Sequence, residues 1–296
     1  SSSLLNTLGF RSKGTNLNIR YANNTLLMDT VFGIGYNIQK SDPLKYGYTQ
    51  VSVANDYGLY ENAYAGSLGV LTDGTLNDLE FPEFDNLTSQ ENLFNQLAGT
   101  NFSFFQLTEP LVTEYNNTTM TQNTNSVTYE EETSNVAKEV HYQVTVPKGK
   151  QAYLSLYPMN YGELGSSTVT ISVNGQSQKS QINITGQYYN LGYYLEDTTV
   201  DFVASFYGSE KVTLMPPKVV LLDLNNFQQA AEKIQTNGVP FTTTNNGATA
   251  TINTEKAKTL FTTIPYDAGW SAYLDGQKIP VNKFKDALIS LNIPKG

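Results

Sequence analysis

The chain is predicted to be mostly β with minor α. Three observations carry this. Short alternating runs such as Glu139 to Val146 recur between turn signals at about 10-residue spacing, the texture of a β-sandwich. Asn174-Gly175 and Asp275-Gly276 stand between runs of strand character, the strongest short hairpin signal. Only two stretches, one ending at Gly99 and one at Asn237-Gly238, carry long amphipathic helical patterns. The expected layout is a small α+β module over residues 1–107. A jelly-roll-like β-sandwich domain follows over 108–296, with a helix near 224–235 and terminal hairpins.

Taken in order, Leu4 to Gly9 is one or two helical turns, and Arg11 to Asn18 a polar loop. Thr25 to Phe32 is a short helix stopped by Gly33. Gly35 to Ile38 and Tyr48 to Val53 are strands, and Tyr57 to Asn62 follows, with Glu61 and Asn62 expected to hold a loop through hydrogen bonds to backbone groups and a general-acid glutamate as the other reading. Leu87 to Ala98 is the clearest early helix, with Thr88 or Ser89 as N-cap, an apolar face of Leu93, Phe94 and Leu97, and Gly99 as its end.

Strands follow over Val127–Glu132, Glu139–Val146, Gln151–Tyr157 and Val169–Val173. A return runs over Gln178–Ile184, and Thr199–Phe206 and Lys211–Leu214 add two more. Tyr188 to Tyr194 is an aromatic loop or strand edge. Val219 to Leu222 is a buried strand. The helix after it carries Leu224, Phe227, Ala231 and Ile234 on one face. Phe241–Thr244 and Ala248–Ile252 flank a turn, and Ala287–Ile293 closes the chain.

The last distinctive stretch runs from Thr259 to Gly276. Pro265 ends its first strand, and Asp267-Ala268-Gly269 turns. Trp270, Ala272 and Leu274 then fall on one face by alternation. Trp270 is the one tryptophan. It is expected to anchor a sheet against the core, with a sugar-stacking platform as the other reading.

Bulk properties exclude several functions. With 296 residues there is length for a sizeable core. A net charge of −9 argues against nucleic acid and anionic membrane surfaces. There are no cysteines, so no disulfide and no thiolate chemistry. The single histidine, His141, shares a polar strand face with Gln143 and Thr145 and lacks a nucleophile elbow. No phosphate loop, dinucleotide fingerprint, zinc helix or calcium loop occurs. No cofactor, metal site or catalytic residue is therefore assigned. No stretch approaches the roughly 20 apolar residues of a membrane span. The first residue is Ser1 and no export signal precedes it, so the chain reads as a segment of a longer protein.

If a glycan binds, the first candidates are Tyr188, Tyr189, Tyr193 and Tyr194, followed by Trp270 and Tyr266. Tyrosine offers an apolar face and a hydroxyl at low rotamer cost. Covering of a sandwich edge is the alternative use of the four.

The run Ile264-Pro265-Tyr266-Asp267, then Gly269-Trp270 and Asp275-Gly276, resembles the end of the extracytoplasmic region of YfhO-family bacterial membrane proteins. Asp29 to Tyr36 and Tyr60-Glu61-Asn62 extend the resemblance, with Gly35 standing where that family carries Lys. Those proteins are multi-spanning and of the GT-C glycosyltransferase type. The resemblance implies a parent that moves sugar from a polyprenyl-phosphate carrier to a cell-envelope polymer, lipoteichoic acid. It implies placement on the outer face of the cytoplasmic membrane of a Gram-positive bacterium. It further implies that the catalytic residues lie outside this chain, which is non-catalytic alone. The implied partners are the membrane-spanning part of the same polypeptide and a glycan or teichoic acid. A carbohydrate-binding or structural cell-surface module is the second reading, and a secreted glycosidase the third.

Overall fold

The computed structural model describes residues 2–12, 19–21, 23–160, 167–181 and 186–296. The loop expected over Arg11–Asn18 and the end of the return strand toward Ile184 fall partly outside this set.

The chain is mostly β, built from antiparallel sheets with four α-helices among the described residues. Its centre is a sandwich. A five-stranded sheet runs in the order Gln176–Gln181, Thr168–Val173, Thr198–Tyr207, Lys138–Val146, Leu111–Asn116. A four-stranded sheet runs Gln187–Tyr193, Lys150–Leu156, Lys218–Asp223, Phe105–Thr108. The chain alternates between the two sheets, as jelly rolls do. Strand Lys138–Val146 buries Val140, Tyr142, Val144 and Val146 and turns His141, Gln143 and Thr145 outward. Across the core they share a cluster with Leu154, Tyr189, Leu191 and Val219. A three-stranded sheet, Thr118–Gln122, Val127–Glu131 and Lys211–Leu214, adds Val127, Tyr129, Val212 and Leu214 to it.

The four-stranded sheet is covered on both faces. That is why Val219 to Leu222 is an unbroken apolar run. Its outer face, through Tyr153, Tyr188, Val220 and Leu222, packs on the helices. These are α1 (Ser2–Thr7), α2 (Leu26–Val31), α3 (Asn86–Ala98) and α4 (Leu224–Thr236). Beyond them lies a second five-stranded sheet, ordered Gly238–Val239, Gly69–Thr72, Lys258–Pro265, Leu288–Ile293, Asn282–Phe284. Its Phe261, Phe284 and Leu288 close the same core. This core and this sheet both draw on residues either side of position 107: Val70 pairs with Phe261.

Two helix starts are aspartates. Asp223 accepts the Asn226 N–H at 2.8 Å. Asp85, and not Thr88 or Ser89, caps α3, accepting the Thr88 N–H at 3.0 Å. The helix begins earlier than its apolar face because Asn86 turns inward onto the carbonyls of Asn6 and Thr7. After α2, Gly33 takes φ 61° and a Cβ there would lie 2.9 Å from the Gly66 carbonyl. The two loops touch backbone to backbone, and Gly66 donates to Thr30 O at 2.9 Å.

Trp270 departs from expectation. It is 38% exposed, not buried. The strand begins only at Ala272, so Trp270 belongs to the turn, where its N–H donates to Asp267 O at 3.2 Å. The hairpin Ala272–Leu274 with Gln277–Ile279 forms a two-stranded sheet of its own. With no sheet behind it, the alternating face has no core to enter, and its Ala272 and Leu274 are only half-buried.

Candidate functional site

A cleft of about 630 Å³ opens between Tyr21, Asn23, Asn24 and the stretch from Asn37 to Lys45 on one side and, on the other, the sandwich edge formed by the Asn174-Gly175 hairpin and strand Gln187–Tyr193. Two of its lining residues, Tyr21 and Lys45, bind Asp29. This carboxylate sits in α2 among Leu26, Leu27, Met28 and Val31, all buried, and is itself fully buried. Three donors meet it. Lys45 Nζ reaches Oδ2 at 2.9 Å and Tyr48 Oη at 2.7 Å, while Tyr21 Oη donates to Oδ1. Burial, then the adjacent Asp29 charge, pushes both phenols well above the ordinary tyrosine range. They therefore stay protonated and donate. The hydroxyl end of Tyr21 is held at the carboxylate, while the residue as a whole is 38% exposed and lines the cleft.

The walls are clamped by amides. Buried Gln151 donates to Leu44 O at 3.0 Å and to Asn190 Oδ1 at 2.5 Å, and accepts the Tyr46 N–H at 2.9 Å. Asn190 in turn donates to Pro43 O at 2.6 Å. Gln178 donates to Asn190 O at 2.9 Å. The loop Ser41–Tyr46 is thus fixed to the sandwich by side chains that use up their own polar groups. Among the described residues, the amides of Asn37 and Gln176 have no such partner and line the same cleft.

The aromatic candidates scatter. Strand Gln187–Tyr193 sends alternate side chains to opposite faces. Tyr188 faces the helical core, 4% exposed, with its hydroxyl 3.3 Å from Asn86 Oδ1, and edges the cleft wall. Tyr189 is fully buried in the sandwich, bonded to Ser180 Oγ at 2.5 Å and Gln187 Oε1 at 3.0 Å. Tyr193 is half-buried, edge-on to Tyr46. Tyr194, also half-buried, donates to Leu191 O at 2.9 Å. Tyr266 lies on the terminal sheet, half-buried, with Lys283 Nζ 4.5 Å above its ring, and Trp270 follows on the exposed turn. The six do not make one surface. His141 sits on the outer sandwich face, 3.8 Å from Glu139.

The family model for "Bacterial membrane protein YfhO" matches residues 1–296. The chain belongs to the YfhO family. No helix among the described residues of this YfhO chain is long and apolar enough to cross a membrane. No curated protein matches its sequence. Solved structures match it locally. The insecticidal crystal protein Cry2Aa is 15% identical, covering 38% of this chain and 20% of its own, with TM-score 0.28. A family two carbohydrate esterase from Cellvibrio japonicus is 15% identical over 40% of this chain and 33% of that one, TM-score 0.28. A family 35 carbohydrate-binding module from Clostridium thermocellum is 16% identical over 38% of this chain and 98% of that one, TM-score 0.28. The match thus spans a third or less of the first two structures, and no function is taken from any of them.

Tyr21, Asn37, Gln176 and Asp29 escaped the sequence reading as site residues. One signal for them was present: a single charge, Asp29, inside the apolar run Leu26 to Val31. A carboxylate there needs several donors, and donors so gathered mark a polar site. Among the described residues, no three carboxylate or imidazole groups converge to hold a metal ion.

Proposed function

We propose that this YfhO chain is the outward-facing domain of a membrane sugar transferase, and that its share is to hold the acceptor. The parent moves a sugar from a polyprenyl-phosphate carrier to a cell-envelope polymer, lipoteichoic acid, at the outer face of a Gram-positive cytoplasmic membrane. Bond chemistry takes place in the membrane-spanning part of the same polypeptide.

The observation that carries this reading is the state of Asp29. Among the described residues it is the one buried carboxylate bound by residues of the cleft, and Tyr21, Tyr48 and Lys45 already occupy it. A carboxylate so satisfied is a poor general base, while the unpartnered amides that line the cleft suit binding. The test compares the full-length protein in membranes with an Asn37→Ala, Gln176→Ala double variant, using labelled carrier-linked sugar. The expected result is a raised KM for the acceptor with kcat nearly kept. Turnover of carrier-linked sugar by the 296-residue chain alone would overturn the assignment.

A further inference from the structure

We infer that the cleft is a binding site for an uncharged oligosaccharide, with the Tyr21 ring as its stacking platform and the Asn37, Gln176 and Gln178 amides as its hydroxyl partners. This rests on the acceptor-holding reading for the ligand's role and narrows it: the part of the acceptor held in the cleft is a neutral saccharide portion, not a phosphate backbone.

Size comes first. A cleft of about 630 Å³ falls within the range of ligand sites and has room for a short sugar chain. The platform comes second. A sugar ring presents a C–H face that packs on an aromatic ring. Tyr21 is fixed for this at both ends: its hydroxyl is bound to Asp29, and Phe10 lies 5.3 Å from its ring at an interplanar angle of 56°. A ring already held in place loses little freedom when a ligand stacks on it.

Polar matching comes third. Sugar hydroxyls donate and accept at once, and so do carboxamides. Asn37 and Gln176 line the cleft from different parts of the chain, without side-chain hydrogen-bond partners among the described residues. Gln178 spends its N–H on Asn190 O, which leaves its carbonyl oxygen to accept.

Charge decides between a neutral saccharide and a polyanion. The Lys45 ammonium is balanced by Asp29 at 2.9 Å. Lys40 lies 5.4 Å over the Tyr57 ring. Among the described residues the cleft lining thus keeps one lysine, Lys40, without a carboxylate partner: a single cation and no cluster, in a chain of net charge −9. A phosphate polymer would meet repulsion at long range and no cationic cluster at short range.

The experiment titrates the 296-residue chain with maltotriose, cellotriose and chitotriose, and with poly(glycerol phosphate), at low and high salt, by calorimetry and amide chemical shifts. The expected result is saturable, salt-insensitive binding of at least one trisaccharide. The Asn37→Ala, Gln176→Ala variant should weaken it about tenfold, with its melting temperature unchanged. A Tyr21→Leu variant should abolish it, its folding checked by circular dichroism. Binding undiminished in the amide variant overturns the inference. So does tighter, salt-dependent binding of the polyanion, or no trisaccharide binding up to about 10 mM, beyond the millimolar range of weak sites. Failure of the acceptor role is read separately, as trisaccharide binding that persists while transfer by the full-length protein ignores the cleft variants.

Discussion

The backbone N–H of Leu26 donates to the hydroxyl of Tyr153 at 3.0 Å. Leu26 is the first residue of α2 and Tyr153 lies in the middle of a sandwich strand 127 residues later. The helix N-cap, Thr25, makes no side-chain cap bond, so the sandwich caps the helix instead. This bond ties the start of the helix that carries Asp29 to the four-stranded sheet.

Tyr153→Phe should therefore cost about 1–2 kcal/mol, because it leaves a buried N–H without an acceptor while keeping the ring. Urea denaturation measures it. A loss no larger than for an exposed Tyr→Phe change, such as Tyr273→Phe, would show that the N–H finds another partner.

Removing the Asp29 carboxylate should be more damaging. Asp29→Ala strands the Lys45 ammonium, whose side chain is 16% exposed, and two phenol hydroxyls. A loss of about 3–5 kcal/mol is expected for breaking one partner of a buried pair. Adding Lys45→Met should return part of it, since no uncompensated charge then remains. If Asp29→Ala cost less than about 1 kcal/mol, the pair would behave like a solvent-exposed one.

Alkali should unfold the chain cooperatively. Burial pushes Tyr129 up to about 12, and it raises Tyr142, Tyr153 and Tyr188 as well. The folded state thus holds these protons after the unfolded chain, near its usual value of about 10, has released them. Stability is intact below about pH 10 and falls as pH rises through 10 to 12 and beyond. Of the 20 tyrosines, the exposed ones should titrate early, and the buried ones together with loss of the circular dichroism signal. Smooth titration of all of them near pH 10 with the signal intact would contradict this.

Trp270→Ala should change stability by no more than about 0.5 kcal/mol, as for an ordinary surface site. Its fluorescence should be open to quenching by iodide, because the indole is 38% exposed. A quencher-resistant emission with a large stability loss would place Trp270 back in a core.

Local patterns in this sequence determined the kind of each element. Alternation in Glu139 to Val146, the Asn174-Gly175 turn and the apolar face from Leu224 to Ile234 each declare a period or a turn, and the fold class follows from them. The same patterns left Tyr188 to Tyr194 as an aromatic loop or a strand edge. They could not say that Tyr188 would enter one core and Tyr189 another. Both faces of that strand are covered, on one side by helices far away in the chain and on the other by the opposing sheet. Nor could they say that the Trp270 hairpin would stand apart from any sheet.

The site was the least legible part. Asp29 was visible as a charge among apolar residues, but its donors come from Tyr21, Lys45 and Tyr48, and the opposite wall from residues 175–178 and 188–192. Tertiary structure alone brought these together. Period and turn chemistry act between neighbours in sequence, whereas burial and hydrogen-bond satisfaction act between neighbours in space; here those lie 8 to 19 residues apart around Asp29 and more than a hundred apart across the cleft.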